Sequence, residues 1–285
     1  MPVTKRMSVS TQPQQAAIRP FWVASLDATP RCGQRGAMLP IRDHNPSGRT
    51  PYVTWALMAI NTVVFVISWP LLDDPRALME FYADWAMVPG WVAEHGTYYT
   101  MFTSMFLHVG VMHLAGNMLF LWIFGDNIED EMGHLPFLIF YVAAGLGAGL
   151  AHVLSAPGSE VPTVGASGAI AGVMGGYLLL FPKAKVDILI FLIFIIRILP
   201  IPAWIMLGLW FGLQLFNGVG ADPSIGGVAY WAHAGGFVIG IGLTFPLFLK
   251  LGGTRFWNKT HGHPPHPEAR YDYARTRIPK VRRRK

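Results

Sequence analysis

The sequence predicts an all-α polytopic membrane protein built as a bundle of six transmembrane helices. Hydrophobic residues make up 52% of the 285 residues and charged residues only 13%, whereas an ordinary soluble domain has about 25% charged residues. Six apolar stretches are candidates for transmembrane helices, which need about 20 mainly apolar residues to cross a bilayer. Of the 22 Lys and Arg residues, seven precede Thr50 and eleven occur from Lys250 onward. The positive charge therefore belongs to two tails, and it indicates membrane orientation rather than nucleic-acid binding.

The chain divides into an apolar middle and two basic tails. Residues 1–50 form the N-terminal tail, 51–250 the six-span domain and 251–285 the C-terminal tail. The N-terminal tail has no apolar core followed by a small-residue cleavage site, so we expect no cleavable signal peptide. We expect both tails to be disordered and cytoplasmic, with the C-terminal one close to an anionic membrane surface. Cys32 is the only cysteine, which excludes an intrachain disulfide and a multi-cysteine metal site.

The six predicted spans follow one another along the middle of the chain. The first is entered through Thr50-Pro51, a capping residue followed by a proline suited to the first turn. The apolar segment 186–199 is short, β-branched and interrupted by Arg197, so we interpret it as a partly embedded connector or strand. An even number of spans keeps both basic tails on the cytoplasmic side, as the positive-inside rule favours. The predicted spans are 52–72, about 103–124, 136–154, 167–181, 201–216 and 228–249.

Polar residues inside the spans are costly in lipid and therefore mark candidate functional positions. His113 and Asn117 are four residues apart and share one helix face, whereas His108 precedes His113 by five residues and therefore lies well off that face. Ser167 opens the fourth span, where free backbone N–H groups and the positive end of the helix dipole favour a developing anion. His233 lies near the start of the sixth span. Six spans put Ser167, His233 and His113 in the outer third of the membrane, although each alone could serve only a hydrogen bond between helices.

Glycines at four-residue spacing mark the two helices that begin near Ser167 and His233. Small residues at this spacing let two backbones approach closely, which a serine–histidine hydrogen bond requires. The same spacing is also common in helix packing without any catalytic role. The glycines are Gly168, Gly172 and Gly176 on the fourth span, and Gly236 and Gly240 on the sixth.

Four groups of residues occur in a characteristic order, and together they are specific although each alone is weak. They are Phe106-Leu107-His108 followed by His113 and Asn117, then Gly125 with Glu129 and Gly133, then Gly165-Ala166-Ser167-Gly168, then Ala232-His233 with Gly236 and Gly240. With these groups the sequence resembles the rhomboid family of intramembrane serine proteases over nearly all of residues 50–250. The resemblance implies a six-transmembrane-helix rhomboid bundle with a catalytic dyad at Ser167 and His233. It also implies an oxyanion site at His113, Asn117 and the Ser167 backbone N–H, with no metal or other cofactor.

Two positions depart from the family pattern. Members often carry Trp-Arg just before the second span, where this chain has Tyr99-Thr100, so we expect a differently anchored outer loop. Some members have a tyrosine four residues after the nucleophile that packs on the catalytic imidazole, and this chain has Ala171 there. The apolar body of the spans holds no carboxylate to orient His233 as in a triad. Helix packing is left to orient it, with Tyr230 or an aromatic side chain from another helix as its support.

Rival membrane activities fit less well. A zinc protease needs His-Glu-x-x-His, whereas His108 and His113 are five residues apart without a Glu between them. An aspartyl protease needs two carboxylates within the membrane, and the predicted spans have none in their apolar body. An α/β-hydrolase elbow would have glycine at the position of Ala169. A transporter would need polar groups reaching the cytoplasmic face, but the inner halves of the spans are almost entirely apolar. The remaining alternative is an inactive rhomboid-like protein that binds transmembrane clients, although such proteins usually lack the serine or the histidine.

The sequence therefore predicts a serine endopeptidase that cleaves single-pass membrane proteins near the outer face of the membrane. We expect it to be an integral protein of the bacterial inner membrane. Its expected partners are these substrates and membrane lipid, not nucleic acid. Substrates would reach the site beside the fifth span, where aromatic residues and the loop 217–227 form either a gate or simply a lipid-facing surface. The aromatic residues are Trp204, Trp210, Phe211 and Phe216.

Overall fold

Helices dominate the fold, and a small antiparallel sheet accompanies them. The computed structural model describes residues 37–192, 195–222, 226–265 and 267. The strands are β1 (Ala37–Asp43), β2 (Lys185–Leu192) and β3 (Ile195–Pro202), in the order β1-β2-β3. The helices are α1 (Tyr52–Ser68), α2 (Pro75–Trp85), α3 (Pro89–His95), α4 (Thr100–Thr103), α5 (Val111–Met132), α6 (His134–Ser155), α7 (Ser167–Leu180), α8 (Ala203–Gly220), α9 (Tyr230–Lys250) and α10 (Thr254–Thr260).

Several of these helices can cross a bilayer. Helices α6, α8 and α9 are long and apolar enough, as is α1 together with the 3₁₀ turn Trp69–Asp73 that follows it. Helix α5 is long and apolar enough to cross a bilayer only together with the segment Thr100–Phe106 that precedes it. Within the described ranges this makes four crossing helices, or five if that bent pair is one span. The prediction of a helical polytopic membrane protein is confirmed.

The exact number of six spans stays a prediction because it includes α7. This helix has 14 residues and is about 21 Å long at 1.5 Å per residue, shorter than a hydrocarbon core of about 30 Å. It lies among α5, α6 and α9, and every residue from 169 to 177 is buried. Because other helices surround α7, it does not need to span the lipid by itself.

The contact between α7 and α9 is a contact of backbones. A Cβ atom on Gly240 would overlap the backbone of Gly172, and one on Gly236 would overlap the carbonyl oxygen of Gly168. Side chains on α6 complete the seam, because a Cβ atom on Gly168 would lie 2.7 Å from Cβ of Ala148. The close approach predicted from the glycine spacing is confirmed. It brings the N-terminal ends of α7 and α9 together.

The second span is not the continuous helix that the sequence suggested. The segment Thr100–Phe106 and α5 meet at an angle of 94°, and α5 begins only at Val111, after Gly110. Glycine is the residue that most readily lets a helix end or begin. Residue His108 therefore lies in the break before α5 rather than on a helix face.

The start of α1 is stabilised by another helix. Its N-cap position is Pro51 and has no side-chain capping bond, so the cap predicted from Thr50 is wrong. The Glu129 carboxylate of α5 instead accepts hydrogen bonds from the backbone N–H groups of Val53 (2.8 Å) and Thr54 (2.7 Å). A carboxylate at a helix N-terminus satisfies free donors and complements the helix dipole.

The sheet corrects the predicted extent of the N-terminal tail. Strand β1 pairs with β2, and Asp43 stands opposite Val186, so residues 37–43 belong to the folded domain rather than to a disordered tail. The Asp187 carboxylate of β2 accepts from Arg42 Nε at 2.7 Å and lies 2.7 Å from His44 Nε2. These contacts join positions more than a hundred residues apart, so no local pattern reveals them.

The connector between α7 and α8 is a β-hairpin. Strands β2 and β3 pair antiparallel from Lys185 opposite Pro202 to Leu192 opposite Ile195. The strand interpretation of residues 186–199 is confirmed. The free edge of β2 in this hairpin pairs with β1, which explains why residues 37–43 of the N-terminal tail are ordered.

The end of β1 lies in a buried polar cluster against the C-terminal half of α7. Asp43 Oδ2 accepts from Tyr177 Oη and from Asn127 Nδ2, both at 3.0 Å, and Asn45 Nδ2 donates to Tyr177 Oη at 3.0 Å. Burial, and then the neighbouring Asp126 carboxylate, raises the pKa of Asp43 to about 8. The cluster anchors β1 to the helix bundle.

The C-terminal tail also begins with folded structure. Helix α10 buries Phe256 at 6.4 Å from the ring of Phe181, and Trp257 Nε1 donates to the Leu179 carbonyl oxygen at 2.9 Å. The Lys183 backbone N–H donates to the Gly262 carbonyl oxygen at 3.0 Å. The predicted disorder from residue 251 onward is therefore wrong for α10, because two aromatic side chains are packed. The rest of that tail from 268 onward, like residues 1–36 with Cys32, lies outside the described residues.

Candidate active site

Ser167 and His233 lie at the two helix ends that the glycine contact brings together. Ser167 is the first residue of α7, and His233 is in the first turn of α9. His233 Nε2 and Ser167 Oγ are 2.8 Å apart, although the residues are 66 positions apart in the chain. This is hydrogen-bond distance for a serine hydroxyl donating to an unprotonated imidazole nitrogen. The pair has the geometry of a nucleophile and its general base.

The other ring nitrogen of His233 has a partner on α8. His233 Nδ1 lies 2.9 Å from Gln214 Oε1, and the Trp210 ring lies over the imidazole with centroids 5.9 Å apart and planes inclined at 32°. The expectation of support by an aromatic side chain from another helix is confirmed by Trp210. Gln214 was not predicted as a site residue, because a single glutamine in an apolar span matches no motif. Its one local signal was that it is polar within a membrane segment.

His113 and Asn117 lie beside the turn that leads into Ser167. A Cβ atom on Gly165 would lie 2.8 Å from both Cε1 and Nε2 of His113, and 3.6 Å from Asn117 Nδ2. Gly165 has φ +127°, a backbone conformation that side chains rarely adopt. Both facts require glycine at this position. The two proposed oxyanion donors therefore close over the backbone two residues before Ser167.

His108 belongs to the same cluster, although its position in the sequence did not predict this contact. Its side chain is buried, its Nε2 lies 2.9 Å from Asn117 Nδ2, and its ring lies 5.1 Å from that of His113. The contact arises because the chain bends before α5, so that the segment before the helix brings the His108 side chain next to Asn117. Gly110 was the signal for this break. The hydrogen bond fixes the amide of Asn117.

The turn before α7 is held from outside the helix. Gly165 N–H donates to the Ser104 carbonyl oxygen at 2.9 Å, and Met87 exchanges two backbone hydrogen bonds with Thr163 at 3.1 and 2.7 Å. The segment before α5 and the segment between α2 and α3 thus both brace the loop that presents Ser167. The first backbone N–H groups of α7 point out of the helix end. Together with the helix dipole, they make this end suited to a negative oxygen.

Within the described residues no cluster of three or more His, Cys, Asp or Glu side chains could hold a metal ion. The polar side chains gathered at the site are a hydroxyl, imidazoles and amides. These groups can transfer protons and donate hydrogen bonds.

Comparison with known proteins gives a consistent result. The family model described as the Rhomboid domain matches residues 95–250. Rhomboid protein 1, mitochondrial, of Saccharomyces cerevisiae is 29% identical over 199 residues, which are 66% of this chain and 51% of that protein. Rhomboid protease GluP of Bacillus subtilis is 40% identical over 83 residues, which are 29% of this chain and 16% of that protein.

A plant relative extends the same pattern. RHOMBOID-like protein 6, mitochondrial, of Arabidopsis thaliana is 31% identical over 165 residues, which are 56% of this chain and 47% of that protein. The chain spans about half the length, or less, of these curated relatives. The matched domain contains Ser167, His233 and the other site residues described above, and it covers more than half of this chain. The chain belongs to the rhomboid family.

Proposed function

We propose that this protein is an intramembrane serine endopeptidase with Ser167 as nucleophile and His233 as general base. The observation that carries the proposal is the 2.8 Å contact between Ser167 Oγ and His233 Nε2 inside a bundle of apolar helices. A hydroxyl and an imidazole at this distance form the activated pair of nucleophilic acyl transfer. Membership of a family that includes a protein named as a protease supports the same activity.

The proposed reaction follows from the roles of these groups. His233 Nε2 takes the Ser167 proton as Oγ bonds to the carbonyl carbon of a substrate peptide. His233 then gives this proton to the leaving amine as the C–N bond breaks, and an acyl-enzyme is left. A water molecule then gives a proton to His233 as its oxygen bonds to the ester carbon. His233 returns this proton to Ser167 Oγ as the ester C–O bond breaks, which frees the new carboxyl end and restores Ser167.

We further propose that His113, Asn117 and the Ser167 backbone N–H stabilise the negative oxygen formed in both steps. The side chains of His113 and Asn117 lie over Gly165, next to the nucleophile. Donors fixed in advance at the position of a developing oxyanion are among the largest contributions to acyl-transfer catalysis. His108 holds Asn117 in place through the 2.9 Å contact with its amide nitrogen.

The proposed substrates are single-pass membrane proteins with weak helix formers near the outer end of their span. A helix in hydrocarbon satisfies its backbone hydrogen bonds internally, and each broken bond costs several kcal/mol. The scissile segment must therefore unwind before Ser167 can attack it. Gly and Pro lower this cost, because they are less favourable than Ala in a helix by about 1 and about 3 kcal/mol.

The proposed orientation places both tails in the cytoplasm, with the active site toward the outer face. Strand β1 and helix α10 both contact the C-terminal half of α7, through Tyr177 and Leu179, whereas Ser167 is at the opposite end. This arrangement supports an even number of spans with basic tails on one side. A bacterial inner-membrane location stays a prediction, because the relatives include proteins named as mitochondrial and chloroplastic.

A second candidate is an inactive rhomboid-like protein that binds transmembrane clients. The relatives named RHOMBOID-like favour it, since those names state no activity. The hydrogen-bonded Ser167 and His233 favour the protease instead, because a binding protein has no need of an aligned nucleophile and base.

Replacement of Ser167 by alanine separates the two candidates. Ser167→Ala should abolish cleavage of a single-pass substrate in liposomes and labelling by a serine-hydrolase probe, with folding preserved. The matched control is Ser68→Ala, a buried helical serine whose Oγ contacts the Phe65 carbonyl oxygen, and it should retain both activities. Undiminished cleavage by Ser167→Ala would exclude Ser167 as nucleophile. A wild-type protein that binds substrates without cutting any of them would support the second candidate.

A further inference from the structure

Gln214 is a buried polar side chain on a helix that is mostly apolar and largely exposed, and the other amide of this helix, Asn217, is exposed. The other buried residues of α8 are Ala203, Leu207 and Gly218, which have no side-chain polar atoms. An amide inside a membrane helix is costly unless it is hydrogen-bonded, so it marks a functional or pairing position. Gln214 directs its amide toward α9 rather than toward lipid.

The contacts of Gln214 define the protonation pattern of His233. Gln214 Oε1 lies 2.9 Å from His233 Nδ1, and its Nε2 makes a longer contact of 3.4 Å to the Trp210 carbonyl oxygen of the same helix. An amide oxygen can only accept a hydrogen bond, so Nδ1 must carry the proton. A neutral imidazole protonated at Nδ1 has its lone pair on Nε2, which faces Ser167 Oγ at 2.8 Å. This is the form in which His233 can take a proton from Ser167.

We propose that Gln214 is the positioning residue of this active site and does with a neutral amide what an aspartate does in a serine-protease triad. It holds the imidazole ring in one orientation and one tautomer. The inference rests on the proposed protease function. It adds a third member to the dyad, supplied by α8.

Because Gln214 lies on α8, the support of His233 depends on the position of that helix. Trp210, one turn earlier on the same helix, lies over the imidazole. If α8 moves away from α9 to admit a substrate helix, the hydrogen bond and the aromatic support of His233 are lost together. Full general-base strength therefore requires α8 to be seated against α9 at the moment of proton transfer.

The surroundings of His233 leave Gln214 as the acceptor that faces Nδ1. The ionisable side chains that act on the imidazole are His113 from α5 and His152 from α6, and Ser167 faces it from α7. Neither of the two histidines is a partner of Nδ1, which bonds to Gln214. An ionised acceptor at the same place would stabilise the imidazolium more strongly than a neutral amide does.

The test compares Gln214→Met, which keeps the length of the side chain but removes the acceptor, with Gln214→Glu, which keeps an acceptor oxygen. Cleavage of a single-pass substrate is measured in liposomes over a range of pH. Gln214→Met should lower kcat about tenfold with KM little changed, the loss expected for one hydrogen bond. Gln214→Glu should recover most of kcat, and its acid limb should move to higher pH because a carboxylate favours the charged imidazole.

Asn61→Leu is the matched control. Asn61 is a buried side-chain amide in α1, and its Nδ2 donates to the Leu57 carbonyl oxygen of the same helix. It should leave kcat and the pH profile unchanged. Full kcat in Gln214→Met, or equal loss of kcat and of thermal stability in both Gln214 variants, would overturn the proposal and make the residue structural.

A second measurement separates this inference from the proposed activity. ¹⁵N NMR of histidine-labelled protein reports which imidazole nitrogen carries the proton, whether or not any substrate is cut. The wild type should show His233 protonated at Nδ1, and Gln214→Met should show a mixture of tautomers. A wild-type His233 protonated at Nε2 would refute the role of Gln214, even if Ser167 proves to be the nucleophile.

Discussion

Helices α7 and α8 each present one polar side chain to His233, yet they are packed in opposite ways. Helix α7 is surrounded by α5, α6 and α9, and its glycines bring its backbone against α9. Helix α8 has large exposed side chains along most of its length, with Phe216 79% and Trp204 56% exposed. Its glycines Gly208 and Gly212 have open space beside them. The proposed nucleophile is thus on the most enclosed helix and the histidine support on one of the least enclosed.

This difference in packing indicates that α7 is held in one position whereas α8 can move. Close packing of backbones leaves α7 little freedom, so the position of Ser167 is fixed before any substrate arrives. Helix α8 touches α9 mainly through rings, with Phe211 4.8 Å and Trp210 5.9 Å from Phe237. Ring contacts can separate and re-form at lower cost than an interlocked backbone seam. We therefore expect substrate helices to approach the site on the side of α8.

The largest effects should come from the fixed side of the site. His113→Ala and Asn117→Ala should each lower kcat by about 10²–10³, the usual loss for one oxyanion donor, or about 2.7–4 kcal/mol. Substrate binding should change much less, since the oxyanion exists only during reaction. Steady-state kinetics in liposomes give both quantities. Full turnover in both variants would mean that the pair is structural.

The glycine seam between α7 and α9 should be nearly as sensitive. Gly240→Ala places a Cβ atom against the backbone of Gly172, so the helices must separate, and displacements of this kind can cost about 100-fold in rate. The same substitution at Gly212 of α8 meets no neighbour within 4 Å and should leave activity and Tm unchanged. Cleavage rates and thermal unfolding of the two variants test the comparison directly. If Gly212→Ala were the more damaging, the assignment of the rigid and the loose helix would be reversed.

A reversible link between α8 and α9 should have a smaller and selective effect. A Cβ atom on Gly218 would lie 3.3 Å from Cβ of Tyr230, close to the separation of about 3.5–4.5 Å found in disulfides. Gly218→Cys with Tyr230→Cys, in a Cys32→Ser background, should cut transmembrane substrates about tenfold more slowly when oxidised. Reduction should restore the rate.

The control for this link is a small serine-hydrolase probe, which needs no helix movement to reach Ser167. Probe labelling should be equal in the oxidised and reduced forms. Equal cleavage of transmembrane substrates in both forms would show that substrates do not approach past α8.

The smallest effect should come from the far end of α7, where β1 is anchored. Because burial raises the pKa of Asp43 from 3.8 to about 8, the folded protein holds a proton there that the unfolded chain releases above pH about 4. Stability from this group is fully present below pH 3.8 and is lost as pH rises through about 8. Asp43→Asn should raise Tm by a few degrees at pH 8 and less at pH 5.

Thermal unfolding of Asp43→Asn at the two pH values measures this effect, and kcat should not change because the site is at the other end of α7. Arg76→Gln is a suitable control, since its ion pair with Glu80 is exposed and contributes little. A lower Tm for Asp43→Asn at pH 8 than for the wild type would show that the ionised aspartate stabilises the cluster.

The sequence by itself determined the features that depend on local composition and spacing. Apolar length predicted the helices, and the position of Ser167 at a helix start and the glycine spacing predicted which two helices meet. The contact of Ser167 with His233 followed from these, since backbones that touch bring their first residues together. Such features are visible because they repeat along one segment.

Only the tertiary structure decided the contacts that join segments without a repeating pattern. Gln214 lies beside His233 because α8 is rotated to bury that one amide, and His108 reaches Asn117 because the chain bends by 94° before α5. Residues 37–43 became a strand because β2 offered an edge. In each case the contact joins two separate segments of the chain, and a single polar or strand-forming residue carries no local signal of the partner it will meet.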